Sequence, residues 1–332
     1  MKKTKIAGIG FNVPNNIVTN HDLEDMMDTT DEWIKTRSGI EERRWVEAGT
    51  ANSDLALPAC IEAIKKAGIS TNEIDLIIVG TVSSDYNFPG MAPIIQQKLG
   101  ITQNIPAYDI SAACSAFIYL LEIGDQYIKS GKYKNILLVG SDLMSTIIDR
   151  SPEGRSTGVL FGDGSGAVVL QESLDDSQIL STHIFADGKG VEHLGANAPG
   201  SIFNPRRIDD QLVADRQHLP HQNGREVFKN AVKRMPEAVN VALKHNDLNI
   251  DDVSLVIAHQ ANKRILETCA KRMNLPMEKM YINIQKYGNT TAATIPIAMC
   301  EAIEENKFNR GDYIILTAFG AGYTWASAAI KW

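Results

Sequence analysis

The chain is short of paired cysteines, of positive charge and of long apolar runs, and each shortage removes a class of protein. Its four cysteines, Cys60, Cys114, Cys269 and Cys300, are scattered and form no CxxC pair. That argues against a metal centre and a disulfide framework, and fits reduced thiols in the cytoplasm. Lys and Arg number 33 against 40 Asp and Glu, a formal net charge of −7. The whole chain therefore offers no electrostatic footprint for nucleic acid or a membrane surface. No apolar run approaches the ~20 residues that span a bilayer. The opening MKKTKIAGIGFNVPNN turns polar too early for a signal peptide and reads as a first strand. Neither a P-loop nor a GxGxxG pattern is present, so the glycines of FGDGSGAVVL (161–170) read as a tight turn into a strand.

What is there is a regular alternation. DLIIVGT (75–81), NILLVGSD (135–142), GAVVLQ (166–171), VSLVIAHQ (253–260) and YIILTAFG (313–320) are short strands rich in β-branched residues. Helical patterns lie between them, such as SDLALPACIEAIKKAG (53–68) and REVFKNAVKRMPEAVNVALKHN (225–246). This is an α/β pattern with buried sheets. The alternation also repeats at half-chain scale. ISTNEIDLIIVGT (69–81) echoes LNIDDVSLVIAHQ (248–260). Each is followed by a short strand, a small-residue turn and an apolar helix: YDISAACSAFIYLLEIG, then INIQKYGNTTAATIPIAMCEAI. A glycine turn and a further strand close each set. The reading is two duplicated α/β halves, 1–172 and 173–332. Residues 189–224 are rich in Gly, Pro, Asn and charge without a clear period, and read as a long loop or cap.

Cys114 sits after IPAYDI, a short strand expected to be buried, where an apolar helix begins. It is either an inert piece of core or a nucleophile whose thiolate is favoured by the helix N-terminus. The same choice applies to His259 in IAHQAN, at the end of a strand, and to Asn289 in the turn YGNTTAA. Singly, they read as a structural histidine and a turn residue. If duplication brings the turns of the two halves face to face, a thiol, an imidazole and a carboxamide meet, which are parts suited to thioester chemistry.

DEWIKTRSGIEERR (31–44), AACSAF (112–117), FGDGSGAVVL (161–170), HQANKRI (259–265), YGNTTAATIP (287–296) and FGAGYTW (319–325) together resemble β-ketoacyl-acyl-carrier-protein synthase III, a condensing enzyme of the thiolase superfamily. The resemblance runs in order along the chain. It implies a thiolase-like fold with a five-layered αβαβα core. It also implies an acyl-CoA-primed decarboxylative condensation with malonyl-acyl-carrier-protein that starts fatty-acid synthesis, with no permanently bound cofactor and no metal. By the same resemblance Cys114 is the acylated nucleophile, and His259 and Asn289 bind the malonyl thioester carbonyl. The backbone N–H groups of Cys114 and Ala321 form the oxyanion hole. Thr29, Trp33, Arg37 and Arg155 take the nucleotide end of coenzyme A, with Trp33 and Arg155 around the base; Phe228, Ala261 and Asn262 line its pantetheine tunnel. Phe88 in YNFPG resembles a residue that a partner subunit lends to the acyl pocket, which implies a homodimer.

Three features depart from the family pattern. The glycine turn reads GAG with Ala321 in the middle, the 189–224 segment is long, and Arg225 stands near the tunnel. These leave room for a specialised condensing enzyme or acyltransferase of a secondary pathway. Arg225, Lys229 and Lys233 follow at helical spacing beside Arg234, with Lys263 and Arg264 after the histidine. Of these, Lys229, Lys233, Lys263 and Arg264 are the candidate docking residues for an acidic carrier protein, against plain solvation of helix faces. Two readings from other classes remain: a cysteine hydrolase, whose CG[SA]C[WY] context is missing, and a non-catalytic binding module with Cys114 in the core.

Overall fold

A computed structural model of the chain describes residues 2–332. Its two large sheets are built from β1 (Thr4–Asn12), β2 (Leu76–Gly80), β3 (Ala107–Ile110), β4 (Asn135–Asp142), β5 (Gly164–Glu172), β6 (Gln178–Ala186), β7 (Val253–Ala258), β8 (Tyr313–Gly320) and β9 (Thr324–Lys331). The first sheet has the order β1-β5-β4-β2-β3 and the second β6-β9-β8-β7. In the first, β4–β2 and β2–β3 pair in parallel and β1–β5 and β5–β4 antiparallel; in the second, β8–β7 pair in parallel and β6–β9 and β9–β8 antiparallel. The second sheet keeps a trace of a fifth position, where Met280 bridges Val256 in parallel as β3 pairs with β2. Strand membership changes from one sheet to the other between Glu172 and Gln178.

Six helices pack on the sheets: α1 (Asn52–Lys66), α2 (Met91–Lys98), α3 (Ala116–Lys129), α4 (Gly224–His245), α5 (Lys263–Met273) and α6 (Thr294–Glu304). α1 and α2 cover the outer face of the first sheet, burying Ala59, Ala63 and Ile95 against Ile77, Val139 and Val169. α4 and α5 cover the outer face of the second, with Val232, Val239 and Leu266 against Val256 and Ile315. α3 and α6 lie between the sheets, where Phe117, Leu121, Ile295 and Met299 share one cluster with Ile78, Leu138, Ile257 and Leu316. The result is the five-layered αβαβα arrangement. A helix pressed on both sides needs apolar residues round its circumference, and α6 is buried from Thr294 to Ala302.

One expectation needs correction. IPAYDI is not a buried strand: β3 is a half-buried edge, paired among the described residues only with β2, because the first sheet ends there. The 189–224 segment carries a short two-stranded antiparallel ladder (Leu194–Gly195 with His221–Gln222) and a helix at Asp210–Ala214, both too short to show a period.

Candidate active site

The duplication brings two turns together. Ala113 (φ 46°) opens the turn before α3, and Thr291 (φ 48°) opens the corresponding turn before α6. Left-handed backbone at a residue with a side chain is strained by roughly 1–2 kcal/mol, so packing must hold both turns. Gly140 supplies part of that packing. A Cβ there would lie 2.5 Å from the Ala292 carbonyl oxygen, so only glycine lets the second turn close on the end of β4. By this equivalence the counterpart of Cys114 is Ala292, and Asn289 belongs three residues earlier on the same turn.

Cys114, His259 and Asn289 line one cavity, together with Phe228, Ala261, Asn262, Met235, Ile265 and Phe319. Asn289 is held by its backbone, its N–H on the Leu160 carbonyl at 2.8 Å and its carbonyl taking the Gly162 N–H at 3.1 Å. The Thr291 N–H donates to Asn289 Oδ1 at 2.9 Å, which leaves the amide NH₂ as the end free to donate. His259 is 2 % exposed, and its Nδ1 lies 2.7 Å from Thr294 Oγ1. Burial pulls the imidazole down to about 3, so the ring is neutral at physiological pH.

The thiol reverses an expectation. Its place before α3 led us to expect a lowered pKa, yet burial pushes Cys114 up to about 12, and the Asp142 carboxylate adds to the effect. Cys114 is only half-buried by surface because it opens on cavities, but protein crowds the sulfur between the halves. Desolvation outweighs one helix N-terminus. Asp142 itself is fully buried and accepts from Thr81 Oγ1 (2.9 Å), the Val82 N–H (2.7 Å), Ser83 Oγ (3.0 Å), the Ala292 N–H (3.3 Å) and Thr291 Oγ1. It thus ties the ends of β2 and β4 to the turn that carries Asn289.

A second cavity also reaches Cys114, lined with it by Ala321, Met144, Ile147, Leu194, Pro220 and Thr291. Ala321 does not need left-handed backbone, because the positive φ of its turn falls on Gly322 (69°) and Tyr323 (49°). The preceding Gly320 lies against Cys114, where a Cβ would be 2.9 Å from that residue's nitrogen. The alanine in the GAG turn is therefore accommodated, and Ala321 lines this cavity together with Cys114.

The other sequence candidates divide by place. Asn262 caps α5 and its side-chain NH₂ donates to the Arg37 carbonyl at 2.8 Å, joining the cavity mouth to the helix Asp31–Ser38. Trp33 on that helix has the Arg37 and Arg155 guanidiniums over its ring, 5.0 and 5.1 Å from the centroid. Arg155 and Trp33 contact each other, so the expected slot for a base between them is closed. Thr29 is half-buried, with its hydroxyl buried and unpartnered among the described residues. Arg225, Lys229, Lys233, Lys263 and Arg264 are exposed near the starts of α4 and α5, whereas Arg234 turns away to Glu237 and the face of Trp325. Phe88 is 83 % exposed and lines neither cavity of its own chain. Sequence reasoning missed Thr294, Asp142 and the cap residues Leu194, Gln222 and Pro220. Only Thr294 left a signal, as the last hydroxyl of GNTTAAT.

Residues 108–188 match the family model of 3-oxoacyl-[acyl-carrier-protein] synthase III, and residues 243–332 match the model of its C-terminal part. The chain is 43 % identical over 332 residues to a β-ketoacyl-[acyl-carrier-protein] synthase III of Fusobacterium nucleatum, covering 100 % of this chain and 99 % of that one. It is 46 % identical over 329 residues to the synthase III of Aquifex aeolicus, covering 99 % of each. A crystal structure of the Aquifex aeolicus enzyme superposes with a TM-score of 0.90 at 45 % identity, over 99 % of this chain and 100 % of that one. With an unbroken match of this kind on a duplicated thiolase-like fold, the chain belongs to the β-ketoacyl-acyl-carrier-protein synthase III family.

Proposed function

We propose that the protein condenses an acyl-CoA with malonyl-acyl-carrier-protein, releasing CO₂ and giving the 3-oxoacyl-carrier-protein that starts a fatty-acyl chain. The observation that carries this reading is the meeting of Cys114, His259 and Asn289 in one cavity. Cys114 attacks the acyl-CoA carbonyl, the tetrahedral oxyanion is held by the N–H groups of Cys114 and Ala321, and the C–S bond to coenzyme A breaks as the proton given up by the Cys114 thiol passes to the departing sulfur. The acyl chain then rests in the cavity lined by Met144 and Leu194. The malonyl thioester enters by the other cavity, and its carbonyl oxygen accepts from His259 and the Asn289 NH₂. As the malonyl carboxylate leaves as CO₂, its bonding pair passes to the α-carbon and onto that oxygen, where two fixed donors stabilise the enolate. A neutral imidazole suits this task. The enolate carbon attacks the acyl-Cys114 carbonyl and expels the thiolate, which takes up one proton.

Around this centre Phe228, Ala261 and Asn262 line the pantetheine path. Trp33, Arg37, Thr29 and Arg155 receive the nucleotide, Arg155 swinging off Trp33 to admit the base. Lys229, Lys233, Lys263 and Arg264 meet the acidic carrier. Residues 1–172 and 173–332 are the duplicated halves, with 189–224 as cap. Phe88, too exposed to serve its own chain, reaches the acyl cavity of a second copy, so the active unit is a homodimer. We place the reaction in the cytoplasm, in keeping with four unpaired cysteines; no helix is long and apolar enough among the described residues to cross a membrane. The test is to supply acyl-CoA and malonyl-carrier and follow CO₂. Normal Cys114 acylation without CO₂ release would overturn the condensing role and leave an acyltransferase.

A further inference from the structure

His259 is neutral and therefore carries one ring proton, and which nitrogen holds it decides what the imidazole can do in the cavity. A proton on Nε2 makes it a donor towards a bound oxygen; a proton on Nδ1 leaves a lone pair there instead. Nδ1 has one partner, Thr294 Oγ1 at 2.7 Å, and both residues are buried at 2 % and 3 % exposure. The hydroxyl has a single proton and two places to send it: Nδ1, or the Thr291 carbonyl at 3.0 Å.

The bonding around that carbonyl separates the two. Thr291 C=O already accepts the backbone N–H of Thr294, which closes the turn before α6. Its need for a donor is met without the hydroxyl. Nδ1 has no partner other than Thr294 Oγ1 among the described residues. A ring N–H donating to the hydroxyl would also pair Nδ1, but the lengths favour the reverse: 2.7 Å is the usual reach of an O–H donor and short for a ring N–H, whereas the 3.0 Å to the carbonyl is long for an O–H donor. We infer that Thr294 is a positioning residue that donates its hydroxyl proton to His259 Nδ1 and so holds the single imidazole proton on Nε2, facing the cavity. Thr294 is itself held as the first residue of α6, so its oxygen cannot drift from the ring without moving the turn that carries Asn289. One turn thus sets both donors to the same oxygen: Thr291 orients the Asn289 amide, and Thr294 fixes the His259 tautomer.

The inference deepens the condensing role and rests on it for its kinetic consequence, but not for its structural one. The first measurement is therefore independent of turnover. Nitrogen-15 NMR of histidine-labelled protein at neutral pH, with His259 assigned by its loss in His259→Gln, reads the tautomer directly. A protonated Nε2 and an unprotonated, hydrogen-bonded Nδ1 are expected; a protonated Nδ1 overturns the inference. The second compares Thr294→Val, which keeps the shape and removes the hydroxyl, with Thr294→Ser, which keeps the hydroxyl. In Thr294→Val, kcat for malonyl-carrier decarboxylation is expected to fall about tenfold to hundredfold, as for other groups that orient an active-site imidazole. KM for the carrier should stay within about twofold and Cys114 acylation within about threefold, with Thr294→Ser restoring most of the loss, since only the step using the Nε2 donor is touched. Equal loss of acylation and decarboxylation, or a serine variant as poor as the valine one, overturns it. Failure of the wild-type protein to release CO₂ would instead strike the condensing role, while the NMR result would still decide the tautomer.

Discussion

Acid should destabilise this protein through one identifiable proton. In the unfolded chain His259 titrates near its ordinary value of 6.5, whereas burial in the folded chain pulls it down to about 3. Between those values the unfolded chain binds a proton that the folded one refuses, so stability falls as pH drops. The term is RT ln[(1 + 10^(6.5 − pH))/(1 + 10^(3 − pH))], which grows from about 0.2 kcal/mol at pH 7 to about 2 kcal/mol at pH 5. The His259→Gln variant lacks this proton while keeping the other titrating groups, including buried Asp142 and Asp163, whose pKa values are raised. Urea unfolding of both proteins at pH 7, 6 and 5 isolates the term as a difference of slopes, whatever the variant loses in absolute stability. Wild type should lose about 2 kcal/mol more than the variant between pH 7 and 5. Parallel curves would mean that the folded imidazole accepts a proton as readily as the unfolded one, and the picture of a dry, neutral ring between the halves would be wrong.

Four further outcomes follow from the same geometry. Cys114→Ser should gain no acyl mass from acyl-CoA, as read by intact-protein mass spectrometry. Iodoacetamide labelling of wild-type Cys114 should climb about tenfold per pH unit from pH 6 to 9 without a plateau, since its thiol stands near 12; a plateau near pH 7 would restore the lowered pKa that the helix position implied. Gly140→Ala drives a methyl into the Ala292 carbonyl; it should cost about 1–3 kcal/mol in urea unfolding and slow decarboxylation more than acylation. Lys229→Glu with Lys233→Glu should raise KM for the malonyl-carrier several-fold at low salt while leaving KM for acyl-CoA unchanged.

The layered core was legible because it leaves a periodic trace. Buried strands such as LIIVG and NILLVGSD, and helices apolar round most of their circumference such as α3, are what a five-layer stack requires of a linear pattern. The halves were visible for the same reason, as matched strand, turn and helix. Legibility failed where the determining neighbour is remote. Whether β3 is buried depends on where the sheet stops, which four residues do not encode. The Cys114 thiol illustrates the same point: a helix start is local, whereas desolvation by the opposite half and the charge of Asp142 arrive only on folding. Thr294 stands 35 residues from His259, and nothing in GNTTAAT tells which of its hydroxyls faces a ring. Arg155 was placed beside Trp33 from the family resemblance, but the direct stacking that closes the slot is visible only in three dimensions.

The paired turns of Ala113 and Thr291 share a backbone bend but not a chemistry. Where the front turn bears sulfur, the rear one bears only the methyl of Ala292, pressed with Ala112 and Ala116 into a small apolar contact. A scaffold with two matching turns therefore offers a side chain to the cavity from one and uses the other as its backrest.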